Sequence, residues 1–597
     1  MIKEEIPARI ATLRDYMRGA GINAAIFPQT DPHQSEYIAD HWQVRRWLSG
    51  FTGSAGALVV TLNNAYIWAD SRYWLQAADQ LKDTGIGVME EGKPETPSIE
   101  DWLCTNLKPG DTVGIDGMVF SINATQQLSK QLATKGIKLR VDFNPAEAIW
   151  NDRPALPLEK IFIHEEKYAG ESCKSKIAKI LADAAEQGAN AAFISDLAEI
   201  AWTLNIRSTD VESNPVVTSF LYISKNDTTL FVDQAKLTPE VSEYLKNNGV
   251  VVEDYNTVKT FLSNLPSTAR VLVAPAQTAG AVASVLESKL VAGTSPIAML
   301  KGCKNDVQIQ GVHHAMERDG VALVKSFMEI EKALATGTQI TEMDIADILT
   351  KHRSAQPLYF DQSFDTIAGY AAHGAIVHYS ANPQTNVVIQ PENLLLIDSG
   401  ASYLDGTTDI TRTITLGNPT PQQKSDFTLV MKGHIALAEA VYPEGTRGAQ
   451  LDALARINLW KHGLSYLHGT GHGVGHFLNV HEGPQRIHIT ENPTPLKPGM
   501  ITSDEPGLYR SGEYGIRCEN LILTVPAMTT EFGRFLKFEV LTLFPFDLRL
   551  FDTDIMTDDE INWVNSYHAR VRERLMPFLN AEEQNWLIQK TETLIRP

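Results

Sequence analysis

Short apolar runs bounded by polar residues divide the first half of the chain into helices and strands whose order repeats. The runs GINAAIF at Gly21–Phe27 and GANAAFI at Gly188–Ile194 each follow an amphipathic, helix-like stretch, and each is typical of a buried strand. Two more strand-like runs follow at similar distances, ALVVT and AYIWADSRY in the first copy, SFLYIS and TTLFVD in the second. The pattern predicts two copies of one α/β unit, at residues 1–155 and 158–302.

Prolines and apolar spacing mark the ends of these units and of the chain. The segment NDRPALPLEK contains Pro154 and Pro157 and predicts a linker between the two units. The tail from about Phe546 contains LMPFLNAEEQNWLIQ, which predicts a helical extension over residues 546–597. This leaves residues 303–545 as a further domain.

A second repeat lies in the C-terminal half of the chain. EKALATGTQITEMDIADIL is similar to EAVYPEGTRGAQLDALARI, so that Gly337 and Asp344 of the first copy match Gly445 and Asp452 of the second. Each copy predicts a helix, a glycine turn and a helix. Two related halves commonly place ligands from both sides around one cleft.

Composition and charge exclude several classes of protein. The chain of 597 residues has 43% hydrophobic and 21% charged residues, as in soluble multidomain proteins. Its net charge of −20 argues against a nucleic-acid partner, because phosphate binding needs a basic face. No apolar run has the length of a membrane span, and the N-terminal segment shows no signal-peptide pattern. Four scattered cysteines favour reduced thiols, so a cytoplasmic location is expected.

Two aspartates in IDSGASYLDGTTDITRT are the strongest candidates for chemistry. Asp398 ends the apolar run LLLID, and Asp409 opens DITRTITL, whose alternation predicts a strand. The intervening Asp405-Gly406 is a turn signal. The pattern predicts an antiparallel hairpin that directs both carboxylates into one cleft.

Histidines and glycines alternate in HGTGHGVGH. If HGTGH is extended, His468 and His472 lie on one face, while the glycines clear the other face for close backbone approach. His472 is the candidate metal ligand, and His468 a neighbouring or substrate-contacting group. His481, in NVHEGP, lies near this cluster in the sequence.

Two glutamates complete the candidate site. Glu505 precedes Pro506 and is expected to close a strand at a turn, while Arg517 and Glu519 are expected to share one side of the strand IRCENLILTV. An arginine there would orient a ligating carboxylate and offset its charge.

Carboxylates with one imidazole suit hard or borderline ions such as Mn²⁺, Co²⁺ or Zn²⁺. Four carboxylates exceed what one divalent ion needs and predict two ions about 3.5 Å apart, joined by carboxylates and a water-derived hydroxide. That arrangement is typical of hydrolases. The predicted ligands are Asp398, Asp409, His472, Glu505 and Glu519.

This ordered set resembles the pita-bread metallopeptidases, the family of methionine aminopeptidase, prolidase and Xaa-Pro aminopeptidase. GAIVHYSANP, HGTGHGVGHFLNVHEGP and DEPGLY are similar to the Xaa-Pro aminopeptidase branch. Two creatinase-like α/β domains before the pita-bread catalytic domain, with a short helical extension after it, resemble the long, three-domain cytosolic form, aminopeptidase P. The similarity spans nearly the whole chain.

The resemblance also implies roles for individual residues. Asp398 and Asp409 would share one ion, and Asp409 would also bind the other or help hold the pair. Glu519 would bridge both ions, and His472 and Glu505 would complete the second. A bridging hydroxide would attack, and Glu505 would pass its proton to the leaving proline nitrogen. His378 and His481 would steady the oxyanion and the substrate. The residues expected to act behind the ligands or against substrate are His468, Tyr509 and Arg517.

Substrate, metal and assembly follow from the same resemblance. Peptides with proline at the second position are the implied substrates, Mn²⁺ the implied metal and a homodimer the implied assembly. An Xaa-Pro bond is a tertiary amide without an N–H, which favours a dedicated pocket. Two alternatives remain open: a prolidase acting on Xaa-Pro dipeptides, and a non-catalytic pita-bread protein that binds peptides or histones.

Overall fold

The computed structural model describes residues 3–596 and separates into two compact units. One contains the chain up to Glu166 together with Glu171–Ile297, and the other contains Lys167–Gly170 and the chain from Ala298 onward. Both combine helices with sheets, which confirms the α/β fold class. No helix among residues 3–596 has the length and apolar character needed to cross a bilayer, and the four cysteines are free thiols.

The first sheet of the N-terminal unit has the strand order β4-β3-β2-β1-β5-β6. Its central strand β1 carries the predicted AAIF run, pairs antiparallel with β2 and parallel with β5, and is buried on both faces. The strands are β1 (Ala24–Pro28), β2 (Ala57–Thr61), β3 (Ala65–Ala69), β4 (Gly87–Glu90), β5 (Thr112–Gly114) and β6 (Lys138–Arg140). The helices are α1 (Ile6–Ala20), α2 (Val44–Ser49), α3 (Trp74–Gln80), α4 (Ile99–Asn106), α5 (Ile122–Ala133) and α6 (Ala146–Ile149).

The second sheet repeats this topology, with the order β12-β11-β10-β8-β13-β14. Its central strand β8 again pairs antiparallel with one neighbour and parallel with the other, so the predicted duplication is confirmed. The strands are β7 (Phe162–Ile163), β8 (Ala191–Ile194), β9 (Ile206–Arg207), β10 (Phe220–Ser224), β11 (Thr228–Phe231), β12 (Val250–Glu253), β13 (Val271–Val273) and β14 (Leu290–Ala292). Helix α7 (Glu166–Ala169) lies almost wholly in the segment that belongs to the other unit. The helices that accompany this sheet are α8 (Cys173–Glu186), α9 (Leu197–Leu204), α10 (Pro239–Asn247), α11 (Val258–Ser263) and α12 (Gly280–Ala283).

The C-terminal unit is built from two helix pairs, several sheets and a helical tail. Its helices are α13 (Ala298–Gly302), α14 (Asp306–Thr336), α15 (Glu342–Ser354), α16 (Pro421–Ala438), α17 (Gly448–Trp460), α18 (Asp558–Leu575) and α19 (Ala581–Lys590). Its first strands are β15 (Tyr359–Gln362), β16 (Ile367–Tyr370), β17 (Leu394–Ser399), β18 (Ala401–Tyr403), β19 (Gly406–Thr407), β20 (Ile410–Thr415) and β21 (Val441–Pro443). The others are β22 (Gly471–Gly473), β23 (Glu482–Ile487), β24 (Ile501–Asp504), β25 (Gly507–Arg510), β26 (Tyr514–Arg517), β27 (Asn520–Thr530) and β28 (Gly533–Val540).

The helix repeat predicted for this unit is present. Helices α14 and α15 pack together, as do α16 and α17. Gly337 ends α14 at φ 74°, and Gly445 lies between α16 and α17 at φ 93°, backbone conformations that favour glycine. The second copy differs from the prediction by one short strand, β21, between its helices.

Two sheets hold Asp398 and His472, and the other three candidate ligands lie next to their strands. One has the order β16-β17-β20, and the other, antiparallel throughout, has the order β21-β28-β27-β24-β22-β23. The predicted helical tail is also present, because Val564 and Leu587 of α18 and α19 belong to the same buried core as Phe327 of α14. The tail is therefore part of the core of the C-terminal unit.

Candidate metal centre

The two aspartates lie side by side, as the predicted hairpin requires. Strand β17 pairs antiparallel with β20, and Asp398 stands opposite Thr411. Asp409 immediately precedes β20 and is 4% exposed. The short strands β18 and β19 form the connection between the two aspartates. A buried hairpin thus fixes the backbone of both carboxylates.

His472 lies at the middle of β22, facing these carboxylates. Its Nδ1 is 2.9 Å from the carbonyl oxygen of Gly473, and its Nε2 is 3.4 Å from Asp409 Oδ2. A hydrogen bond from Nδ1 to a carbonyl orients the ring so that Nε2 can act as a metal ligand. A Cβ atom on Gly471 would overlap the carbonyl oxygen of Ser503, so the predicted close approach at this glycine is confirmed.

Glu505 lies between β24 and β25, at the predicted strand end. Its backbone N–H donates to the carbonyl oxygen of Thr470 over 2.8 Å, and its Oε1 is 3.6 Å from His472 Nε2. The hydroxyl of Ser503 accepts from the His472 backbone N–H over 2.9 Å and donates to Glu505 Oε1 over 3.3 Å. Ser503 thus links the histidine to the glutamate.

Arg517 and Glu519 were expected in one strand, and this expectation is wrong. Arg517 ends β26, and Glu519 lies in the break before β27, which belongs to a different sheet. Their side chains still converge. Arg517 donates to Asp398 Oδ2 over 2.6 Å, and the Thr411 hydroxyl lies 3.2 Å from Arg517 Nε and donates to Glu519 Oε2 over 2.7 Å.

A chain of hydrogen bonds runs from His468 to Asp398. His468 Nε2 is 2.8 Å from the hydroxyl oxygen of Tyr509, which accepts from Arg517 Nη1 over 2.9 Å. Arg517 in turn holds Asp398. His468 precedes β22, so HGTGH is extended as a strand only at its end. The three residues expected behind the ligands therefore form one connected group.

His481 lies beside the candidate metal ligands, whereas His378 lies in a loop that a buried glutamate fixes. The His481 ring lies edge-on to the His472 ring, with centroids 4.3 Å apart. His378 is half-buried after the 3₁₀-helix Ala371–Ala375. The neighbouring Tyr379 donates its hydroxyl to Glu342 Oε2 over 2.8 Å, which fixes the loop that carries His378.

The donor atoms fit a metal ion. Asp409, His472 and Glu519 each offer one ligand atom, and these atoms lie within 4.8 Å of one another. Within residues 3–596, the buried Asp398 Oδ1 has no hydrogen-bond partner, although buried carboxylate oxygens are normally paired. Oxygen donors with one imidazole nitrogen are the ligands of Mn²⁺, Co²⁺ and Zn²⁺.

The electrostatics of the carboxylates fit the same interpretation. Burial raises the pKa of Asp398 and of Glu519, and neighbouring carboxylates raise them further. Burial also raises the pKa of Glu505 to about 7, although His472 and Arg517 act in the opposite direction. Burial lowers the pKa of His472, but its hydrogen bond to Asp409 and the charge of Glu505 outweigh this and raise it to about 9. A divalent cation bound among these carboxylates would offset their mutual repulsion.

We expect the metal-free protein to lose stability as the pH rises from about 4.5 to about 9. The Glu505 pKa rises from 4.5 to about 7 on folding, so its contribution is present below 4.5 and lost as the pH passes 7. The His472 pKa rises from 6.5 to about 9, so its contribution is lost as the pH passes 9. Metal ions replace these protons.

Thermal unfolding of metal-free and Mn²⁺-loaded protein at about pH 6 and pH 8.5 would measure this dependence. We expect Mn²⁺ to raise Tm more at the higher pH. An equal increment at both pH values would contradict the prediction.

Several residues of the centre were given no role by the sequence. Thr411 shares a strand face with Asp409, which was visible in the alternation of DITRTITL, but its link to Glu519 was not. Ser503 and Asp452 were missed as well. Asp452 accepts from Arg456 over 2.6 Å and from Thr470 over 2.6 Å, and a buried carboxylate four residues from an arginine in a helix is a signal that could have been used.

Family profiles match in four places along the chain. The metallopeptidase family M24 matches residues 310–526, and the C-terminal region of peptidase M24 matches 534–594. Two profiles, each described as a creatinase/prolidase N-terminal domain, match 9–146 and 152–308. The fold and the carboxylate–histidine centre thus define a metal-dependent peptidase.

Individual relatives cover the chain almost completely. "Aminopeptidase P2" of Arabidopsis thaliana is 41% identical over 97% of this chain and 87% of its own length. "Xaa-Pro aminopeptidase 1" of Dictyostelium discoideum is 37% identical over 100% of this chain and 97% of its own length. The chain belongs to metallopeptidase family M24.

A solved structure has the same fold over the whole chain. It is the X-prolyl aminopeptidase of Caenorhabditis elegans, described as a cytosolic enzyme with a di-nuclear active site. It matches 99% of this chain and 100% of its own with a TM-score of 0.95 and 34% identity.

Proposed function

We propose that this chain is a metal-dependent aminopeptidase that removes an N-terminal residue from peptides whose second residue is proline. The observation that carries the proposal is the convergence of four carboxylates and one imidazole in the C-terminal unit. Relatives named as aminopeptidases of this kind match 97% or more of this chain. The converging residues are Asp398, Asp409, His472, Glu505 and Glu519.

These five residues would hold two divalent ions, in the division that the family resemblance implies. Asp398 and Asp409 would bind one ion, and Asp409 would also bind the other ion or help hold the pair. His472 and Glu505 would complete the second ion's shell, and Glu519 would bridge the two. Bound ions would supply a nucleophile at neutral pH by lowering the pKa of a bound water. The unpaired Asp398 Oδ1 and the raised carboxylate pKa values support a cation at this place.

Glu505 is suited to move a proton between the nucleophile and the leaving nitrogen. Its side chain is 18% exposed, so it can meet substrate, and a carboxylate can take up a proton and return it as a general base and acid. Ser503 and the Thr470 carbonyl hold it in place. His481, beside His472, and His378 would hold the substrate and its developing oxyanion.

The substrate test uses an Xaa-Pro-Pro tripeptide, an Xaa-Ala-Pro tripeptide and an Xaa-Pro dipeptide. The protein is stripped of metal, reloaded with Mn²⁺ and assayed for release of the first residue. We expect the Xaa-Pro-Pro peptide to be cleaved at least about 100-fold faster than the alanine peptide, since a pocket shaped for the proline ring favours the correct transition state.

Other outcomes would redirect the assignment. A dipeptide cleaved better than the tripeptide would favour a prolidase. Tight peptide binding without hydrolysis under any metal would favour a non-catalytic binding protein. Loss of activity on chelation and its return with Mn²⁺ is expected for either metal-dependent peptidase, but not for a binding protein.

Several finer points belong to the same proposal. We propose Mn²⁺ as the native metal, a homodimer as the assembly and the cytoplasm as the location, as the resemblance implies. The described location of the Caenorhabditis elegans enzyme supports the last. We also propose the division 1–155, 158–302, 303–545 and 546–597, supported by family matches at 9–146, 152–308, 310–526 and 534–594.

A further inference from the structure

Glu519 is held by its neighbours on every side. Its backbone N–H donates to the carbonyl oxygen of Thr411 over 3.1 Å, and its side chain accepts from the Thr411 hydroxyl. Its carbonyl oxygen accepts from Arg412 Nη1 over 2.6 Å. Because Glu519 lies in a break between two strands, no sheet ladder fixes this carbonyl. Arg412 supplies the missing partner.

Arg412 is buried, at 2% exposure, and all of its acceptors are neutral. Its Nη1 also donates to the Thr411 carbonyl over 3.0 Å, and its Nη2 donates to Asn520 Oδ1 over 2.8 Å. Its guanidinium lies 4.0 Å from the centroid of the Phe546 ring. No carboxylate of residues 3–596 forms an ion pair with it, so its charge can act on the nearby carboxylate cluster.

The remaining acceptors of Arg412 come from the two residues just before the helical tail and from helix α18 within it. Nε donates to the Pro545 carbonyl over 3.1 Å, and Nη2 donates to the Phe544 carbonyl over 2.6 Å and to the Tyr567 hydroxyl over 2.9 Å. Tyr567 lies in α18, is 5% exposed, and its hydroxyl is 2.9 Å from the Phe544 carbonyl. The tail therefore reaches the metal centre through one arginine.

We propose that Arg412 is a positioning residue for the metal ligand Glu519, and that Tyr567 of the helical tail holds Arg412 in place for this purpose. The inference rests on the proposed function only in taking Glu519 as a metal ligand. It assigns to the appended tail an indirect part in building the metal centre, through Arg412. A rigid fork with several donors is needed to hold carbonyls of three segments at once, which Arg provides and Lys does not.

The test compares Arg412→Lys, Tyr567→Phe and the control Trp586→Phe. The control removes one hydrogen bond from the same tail, because Trp586 Nε1 donates to Glu331 Oε2 of α14 over 2.8 Å. Phenylalanine keeps an aromatic ring beside Phe544, with which the Trp586 ring packs. The readouts are the metal retained against increasing chelator and the visible absorption spectrum of the Co²⁺-loaded protein. The spectrum reports ligand geometry and would not change through lower stability alone.

We expect Arg412→Lys to weaken metal retention about 10- to 100-fold, the range seen when a partner of a ligand is removed. Tyr567→Phe should weaken it in the same direction by a smaller factor, and both should alter the Co²⁺ spectrum. Trp586→Phe should match the wild type in both readouts. If Arg412→Lys does not fold, the comparison of Tyr567→Phe with Trp586→Phe tests the proposal by itself.

The proposal is overturned if folded Arg412→Lys retains metal like the wild type with an unchanged spectrum. It is also overturned if Tyr567→Phe cannot be distinguished from Trp586→Phe. Because no peptide is used, a wild-type protein that binds metal but cleaves nothing would reject the proposed function and leave this comparison intact. A wild-type protein that binds no metal would reject both.

Discussion

Glu505→Gln is expected to lower kcat by about 10²- to 10⁴-fold, the contribution of a positioned proton-transfer group. Glutamine keeps the size of the side chain, and its amide oxygen can still accept from Ser503. It cannot take up a proton from the nucleophile or return it to the proline nitrogen. KM should change much less than kcat, since the loss occurs in the transition state.

The matched control is Glu513→Gln in the exposed turn between β25 and β26, which should leave kcat unchanged. Metal content is measured alongside, because Glu505 is also a proposed ligand. If Glu505→Gln retains both ions and turns over at the wild-type rate, Glu505 is not the proton-transfer group. If it loses one ion, reloading at high Mn²⁺ separates the two roles.

The duplicated N-terminal architecture could be predicted because local patterns record it. A buried central strand shows as a continuous apolar run, and AAIF and AAFI occupy β1 and β8 with every inner position buried. The same holds for Asp398, since a carboxylate at the end of a buried apolar strand is rare unless it is paired or binds a metal. At the two buried strands and at Asp398, a few neighbouring residues in the sequence are enough to predict what the structure shows.

The site could be predicted as a set of residues but not as a set of contacts. Arg517 and Glu519 are two positions apart in the sequence, which suggested one strand. The chain breaks between them, because β26 pairs within a hairpin with β25 while β27 pairs with β24. Strand pairing of this kind depends on partners far along the chain, and alternation in a short segment does not record it.

The link between the tail and the metal centre was even less accessible to the sequence. Arg412 was only one residue of DITRT, although a charge in a buried strand is rare unless it is satisfied. Its acceptors lie at 519–520, 544–545 and 567. Most of these acceptors are more than 100 residues away from Arg412 in the sequence. No periodic pattern of residues connects positions so far apart.

Asp398→Asn is expected to lose metal together with activity. In the wild type, Asp398 Oδ2 accepts from Arg517, while the buried Oδ1 has no partner among the described residues. An asparagine would keep its oxygen toward Arg517, since its NH₂ group cannot accept from a guanidinium. The NH₂ group would then occupy the place of Oδ1 and present a donor where a cation needs an acceptor.

We therefore expect Asp398→Asn to bind metal more than about 100-fold more weakly than the wild type. This exceeds the loss seen when a residue that only contacts a ligand is removed. We expect kcat/KM to fall by at least the same factor. The control is Asp405→Asn in the same hairpin, which also removes a carboxylate beside an arginine, Arg318. That variant should keep its metal. Metal content is measured by elemental analysis, and Tm is measured for the metal-free proteins. Full metal content in Asp398→Asn would show that Asp398 is not a ligand. Equal metal loss in both variants would show that damage to the hairpin, and not the missing oxygen, is the cause.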